Sequence, residues 1–245
     1  MVLWQIAAVA GDSLYFPPPS EIAVRMYELW FSGPSPWFVT PALVADIGSS
    51  LGRMFAGWGI AVVLGVALGI AIGRSRVVSQ LVDPIVHFLR STPGPALIPV
   101  FLILLGTDNL MRISLIAFGS IWPVLLNSID GVRAIDSTQL ETGRAFGLPW
   151  RARIFRIVIP AAMPKIFAGI QVSLAVALVL MVISELTVST DGIGHQLLTA
   201  QQTFALTDMW AGIALLAILG YLLNLGFTVI ERRVLRWYRG ARQHD

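Results

Sequence analysis

Residues 141–160 read ETGRAFGLPWRARIFRIVIP, one glutamate and four arginines set between long apolar blocks. Just upstream, Asp136 can cap a helix, and Gln139 three residues on completes a capping-box-like pair. Glu141 falls in the early turns, where its charge suits the helix dipole. The helix is expected to run to Phe146 and stop at Gly147, with Pro149 close behind. Pro149 suits the first turn of a second helix, PWRARIFRIVI. There Trp150, Ile154 and Ile157 share a face, while Arg151, Arg153 and Arg156 spread over the rest. Pro160 and Pro164 are expected to end that helix and turn the chain into the next apolar block. A helix, a glycine corner and a second helix make a rigid projection. It is either a docking element for a soluble partner or a loop with an ordinary arginine excess.

The rest of the chain says what carries this projection. Of 245 residues, 56% are hydrophobic and 13% charged, with a mean hydropathy of +0.76. Soluble domains carry roughly 25% charge, so the chain belongs in a bilayer. It has no cysteine, which excludes disulfides, thiolate metal sites and thiol nucleophiles. His87, His195 and His244 form no metal spacing, and no metal site is expected.

Taken in order, residues 1–10 are apolar but shorter than the roughly 20 residues that cross a bilayer. They read as the outer end of a helix that begins before this chain, or as an interfacial segment. Residues 11–40 are rich in turn formers, with a short amphipathic helix expected at 20–31. Its N-cap is Ser20, and Ile22, Met26, Leu29 and Trp30 share one face. Trp30, Trp37 and Phe38 suit a membrane interface. Residues 1–46 therefore form an outer segment, 47–231 a transmembrane core with a charged loop at 131–164, and 232–245 a basic tail.

Within the core, spans are expected at 47–73, 85–106, 110–127, 166–190 and 209–230, about five in all. In the first, Gly57, Ala61, Gly65, Gly69 and Gly73 recur every fourth residue, a stripe that lets helices approach closely. The second is broken by Pro93, Pro95 and Pro99. Proline at membrane depth is tolerated where neighbours or water satisfy the freed carbonyls. That helix either lines a cavity, with Pro93 and Pro99 on the pathway, or is a kinked structural element. Arg74 and Arg76, then Arg133, Arg144, Arg151, Arg153, Arg156 and Lys165, then Arg232, Arg233, Arg236, Arg239 and Arg242 fall on one side of alternating spans. The positive-inside rule makes that side cytoplasmic, with the C-terminus on it.

The charged loop resembles a known family. Glu141, Thr142, Gly143, Gly147, Ile157, Ile159 and Pro160 keep the spacing of the EAA loop of binding-protein-dependent ABC importer permeases. Thr142 and Gly143 replace the usual alanines, and Ile159 a usual leucine. The resemblance runs from about residue 46 to 237. SSLGRMFAGW, RSTPGPALIPVFLILLG and ISELTVSTDGIGHQL are similar to segments of the branch that serves nitrate, taurine and aliphatic sulfonates. It implies an all-α membrane protein with the type I ABC importer permease fold, in the bacterial inner (plasma) membrane. Two copies of the permease, as a homodimer, would form the path; an external binding protein would deliver substrate. Glu141, Arg144, Ala145, Phe146, Gly147, Leu148, Pro149 and Pro160 would engage a cytoplasmic ATPase subunit. ATP would be bound there: this chain has no G-x-x-x-x-G-K-[ST] loop, and its sole lysine is Lys165.

Two charges remain at membrane depth. Glu185 lies in the outer third of its span, and Arg53 is expected at similar depth. They pair with each other, or Arg53 attracts an anionic substrate, or each reaches the interface separately. Asp191, Gly192 and Gly194 suit an external turn or re-entrant loop. A secondary transporter or channel would need inverted repeats or a chain of membrane carboxylates. A membrane enzyme would need a His/Asp/Glu/Ser constellation. The sequence displays neither, nor a nucleic-acid-binding pattern, and no catalytic residue is expected.

Overall fold

The computed structural model describes residues 2–11, 15–33 and 38–241. Trp37, Arg242 and His244 lie outside them. Among the described residues the regular structure is all helical. A ten-residue α1 (Val2–Gly11) is followed by α2 (Pro19–Met26), which runs on through a π turn at Tyr27–Phe31. The long α3 (Pro41–Gly73) comes next. The helix α4 (Arg76–Ser91) is followed by a 3-10 turn, Gly94–Leu97, and α5 (Ile98–Leu105). The second half holds α6 (Asn109–Arg133), α7 (Ser137–Ala145), α8 (Trp150–Arg153), α9 (Ile159–Val188), α10 (Ile193–Gln202), α11 (Leu206–Val234) and α12 (Arg236–Ala241).

Four helices among the described residues are long and apolar enough to cross a membrane: Leu43–Gly73, Asn109–Arg133, Trp150–Val188 and Leu206–Val234. A fifth crossing comes from Arg76–Ser91 and Gly94–Leu105, which meet at 85°. The expected span at 85–106 is therefore two helices rather than one. Proline drives the residue before it out of the helical region, and Thr92 before Pro93 has ψ 120°.

The small-residue stripe of α3 is a packing seam. A Cβ on Gly57 would sit 2.8 Å from Ile116 Cβ, one on Gly65 2.9 Å from Val124 Cβ, and one on Gly73 2.9 Å from Val132 Cβ. Contacts advance along α3 and α6 in the same direction, so these two helices run parallel. The chain between them must travel back the length of the bundle, and the bent pair provides that return. α9 packs antiparallel on α6, with Gly131 against Ala162 and Gly169 against Asn127. The main core joins these three helices through Met54, Ile116, Val124, Ala162, Leu174 and Met181.

Two boundaries depart from expectation. Pro160 and Pro164 do not end a helix, because α8 continues through a π turn at Ile154–Val158 into α9. In a regular helix Pro160 would lack a donor and crowd the carbonyl four residues back. The wider turn accommodates it, with Ile159 N donating to Ile154 O. Near the N-terminus, α2 starts at Pro19 with Pro18 as N-cap, and Ser20 caps nothing. Ser20 Oγ accepts from Gln5 Nε2 at 2.9 Å, tying α1 to α2. Ile22, Met26, Leu29 and Trp30 do share a packed face, against Leu43, Ala211 and Leu215. Trp30 is buried in that packing.

Candidate functional site: a projecting corner and a buried charge network

The corner is held by its own backbone. Asp136 Oδ1 accepts from Thr138 N at 2.9 Å and so caps α7 without Gln139. At the other end Gly147 N donates to Arg144 O at 2.9 Å, and Leu148 N to Gly143 O at 3.1 Å. These paired bonds form a Schellman stop. It needs a left-handed residue, and Gly147 has φ +66°. Gly143 is buried, and a Cβ there would lie 2.6 Å from Ile157 Cδ1. A small residue is required where α7 crosses the second helix. Glu141, Arg144, Ala145, Gly147 and Pro149 are exposed, and Phe146 is 81% exposed. Leu148 and Pro160 are half-buried behind them.

The opposite end of the bundle is built differently. Glu185, on α9, is fully buried and Arg53, on α3, is 5% exposed. Arg53 Nη2 donates to Glu185 Oε1 at 2.7 Å, so the two membrane charges pair. Ser50 Oγ and Gly194 N donate to Glu185 Oε2 at 2.9 and 3.0 Å. Arg53 Nη1 reaches Asp191 Oδ1 at 3.0 Å and Asn109 Oδ1 at 3.2 Å. Asn109 Oδ1 also accepts from Arg112 Nη1 at 3.0 Å, while Arg112 Nη2 donates to Val188 O at 3.1 Å. The segment expected as a turn thus leads into α10. The first amides of that helix are taken by side chains: Gly192 N donates to Asp46 Oδ1 and Ile193 N to Ser50 Oγ, each at 3.0 Å. Gly192 has φ +98°, and a Cβ there would lie 2.6 Å from Arg53 Nη2. Burial pushes the Asp191 carboxyl upward, but hydrogen bonds from Arg53, Ser49 and Ser189 and the Arg53 charge hold it below its ordinary range.

The family model for the binding-protein-dependent transport system inner membrane component matches residues 61–239. The chain belongs to that family. It is the permease component of a binding-protein-dependent ABC importer, a multi-pass inner-membrane protein and not an enzyme. It is 30% identical over 239 residues to a Bacillus subtilis (strain 168) protein assigned as the aliphatic sulfonates transport permease SsuC, covering 97% of this chain and 84% of that one. The taurine transport system permease TauC of Escherichia coli (strain K12) is 29% identical, with 97% and 86% covered. The bicarbonate transport system permease CmpB of Synechocystis is 27% identical, with 96% and 85% covered. The fold is similar to that of a chain in inward-facing MetNI methionine ABC transporter structures. The TM-score is 0.68 at 21% identity, covering 79% of this chain and 96% of that one.

In the permease, the residues expected on the pathway do not gather at one place. Arg53 and Glu185 meet in the charge network. Pro93 lines a separate cavity of about 420 Å³ at the α4–α5 bend, between Phe118, Trp122, Val179 and Leu180, where Arg90 is the sole charged lining residue. Pro99 is exposed and lines neither. Sequence reasoning overlooked Asp46, Ser50, Asn109 and Arg112 as network members. A signal was present, since Asp46, Ser50 and Arg53 follow helical spacing on one face of α3.

Proposed function

We propose that the permease couples ATP hydrolysis on a partner subunit to the passage of a small oxyanion, of the sulfonate, taurine, nitrate or bicarbonate class. The observation that carries the coupling role is the exposed, backbone-locked corner from Glu141 to Pro149. Glu141, Arg144, Ala145, Phe146, Gly147, Leu148 and Pro149 would seat in a cytoplasmic ATPase, with Pro160 behind them. A second copy of the chain would complete the path, and an extracytoplasmic binding protein would load it. The C-terminus would lie on the ATPase side, beside the arginine-rich helix ends.

An anionic cargo is supported by the relatives and by the Pro93 cavity, whose only charge is Arg90. Arg53 is already engaged by Glu185 and Asp191, so its proposed pathway role is to fix the outer ends of α3 and α9. The test uses the permease co-expressed with its ATPase and reconstituted with its binding protein. Glu141→Lys combined with Gly147→Asp should abolish ATPase association and transport while the permease still folds. Stable association in that variant defeats the coupling reading. Competition by alkanesulfonates, taurine, nitrate and bicarbonate, but not by uncharged analogues, checks the cargo class.

A further inference from the structure

A cavity of about 620 Å³ lies where α3 and α6 end, roofed by α4 and the charged loop. Five arginines line it: Arg74 and Arg76 at the α3–α4 junction, Arg133 at the end of α6, Arg144 on α7 and Arg153 on α8. The sole acidic lining residue is Asp83, and it is already engaged. Arg133 Nη2 reaches Asp83 Oδ2 at 3.2 Å, and Ser79 Oγ donates to Asp83 Oδ1 at 3.3 Å. The side chains of Arg74, Arg76, Arg144 and Arg153 have neither a hydrogen bond nor an ion pair to any described residue. Arg153 Nε is buried without a partner.

Guanidinium groups repel one another, and a buried donor left unmade is unfavourable. An arrangement that gathers four free cations around one hollow is completed by an anion. The cavity sits at the ends of two membrane-crossing helices, at the level of lipid headgroups. One of its walls, α4, turns Gln80 and Asp83 inward and leaves Val77, Leu81, Ile85 and Phe88 exposed along its other side. That stripe gives acyl chains a surface to follow away from the cavity. Basic pockets between membrane helices suit anionic headgroups, and the volume far exceeds the space of a bare oxyanion.

We propose that this cavity binds the phosphate headgroup of an anionic phospholipid, and so ties the charged loop to the ends of α3 and α6. The assignment is independent of the cargo and of which partner the loop engages. The full-length permease, with its ATPase where the two co-purify, is exchanged into phosphatidylglycerol or phosphatidylcholine of identical acyl chains. Retained lipid is then counted by native mass spectrometry. Phosphatidylglycerol should be retained preferentially, and Arg74→Gln combined with Arg153→Gln should weaken that preference by roughly thirtyfold, since each of the two arginines contributes on the order of 1 kcal/mol. Should that pair fail to fold, Gln80→Glu, at an exposed lining position, should reduce retention in the same direction. Arg151→Gln should leave it unchanged, because Arg151 lies over Trp150, 5.5 Å from its ring centre and outside the cavity. Equal retention of both lipids, or a preference that survives both cavity variants, overturns the proposal. So does inorganic phosphate binding to the Arg74 and Arg153 side chains without any lipid preference, which would identify a free oxyanion as the ligand.

Discussion

The two ends of this bundle use arginine in opposite ways. At one end Arg53 and Arg112 are buried, and both terminal nitrogens of each donate to carboxylates, an amide oxygen, a hydroxyl or backbone carbonyls. At the other, Arg74, Arg76, Arg144 and Arg153 surround a hollow with no protein anion assigned to them. A charge network whose terminal guanidinium nitrogens are all engaged, with only Arg53 Nε and Arg112 Nε left over, fixes helices relative to one another. An unsatisfied one waits for something outside the chain. The same residue type therefore marks a fixed end and a responsive end.

The sharpest way to break this contrast is at Glu185. Glu185→Ala leaves Arg53 buried with one carboxylate partner fewer and orphans Gly194 N. Removing one partner of a buried pair costs about 3–5 kcal/mol, so thermal unfolding in detergent should drop steeply. Arg53→Met combined with Glu185→Gln should recover a large part of that loss, because no unpaired buried charge remains. A single Glu185→Ala variant as stable as the parent would contradict the description of this end as fixed.

The corner should respond less. Gly147→Val forces a β-branched residue into a left-handed conformation, at roughly 1–2 kcal/mol. Little of that should register in the unfolding of the core, which lies elsewhere. Coupled transport should fall more than stability does, and comparing the two in one preparation measures how separable the ends are.

The smallest effect is an acid limb at Asp191. Its carboxyl is held below the ordinary range. The stabilisation is therefore present above the unfolded value of about 3.9, and is lost as pH falls through the lower folded value. Asp191 is half exposed, so solvent screening keeps the contribution small. Asp191→Asn should flatten the dependence of unfolding temperature on pH below about 4, measured by scanning calorimetry in detergent.

The sequence displayed local features well and long-range ones poorly. Gly147 and Pro149 marked the corner because a left-handed stop and a helix start each need a particular residue. The stripe from Gly57 to Gly73 announced a seam for the same kind of reason. Thr92–Pro93 marked a break, but an 85° bend depends on the parallel placement of α3 and α6, which no local signal encodes. Pro160 misled, because whether proline ends a helix or widens it into a π turn depends on what holds the flanking turns. Arg53 and Glu185 stood out as charges at membrane depth. Their further partners, Ser50, Gly194 and Asp191, were hidden because they meet across more than 100 positions of chain or at the start of a helix read as a loop.

One consequence follows from the uninterrupted helix of 39 residues from Trp150 to Val188. At about 1.5 Å per residue it is a rod close to 58 Å long, with the corner joined to its foot and Glu185 near its tip. Pivoted at one end, a tilt of about 5° would sweep the other by roughly 5 Å, given that length. The π turn at Ile154–Val158 breaks the regular hydrogen-bond ladder near its foot. Were that helix to tilt as one body, a small displacement at the foot would be felt where the carboxylate is clamped.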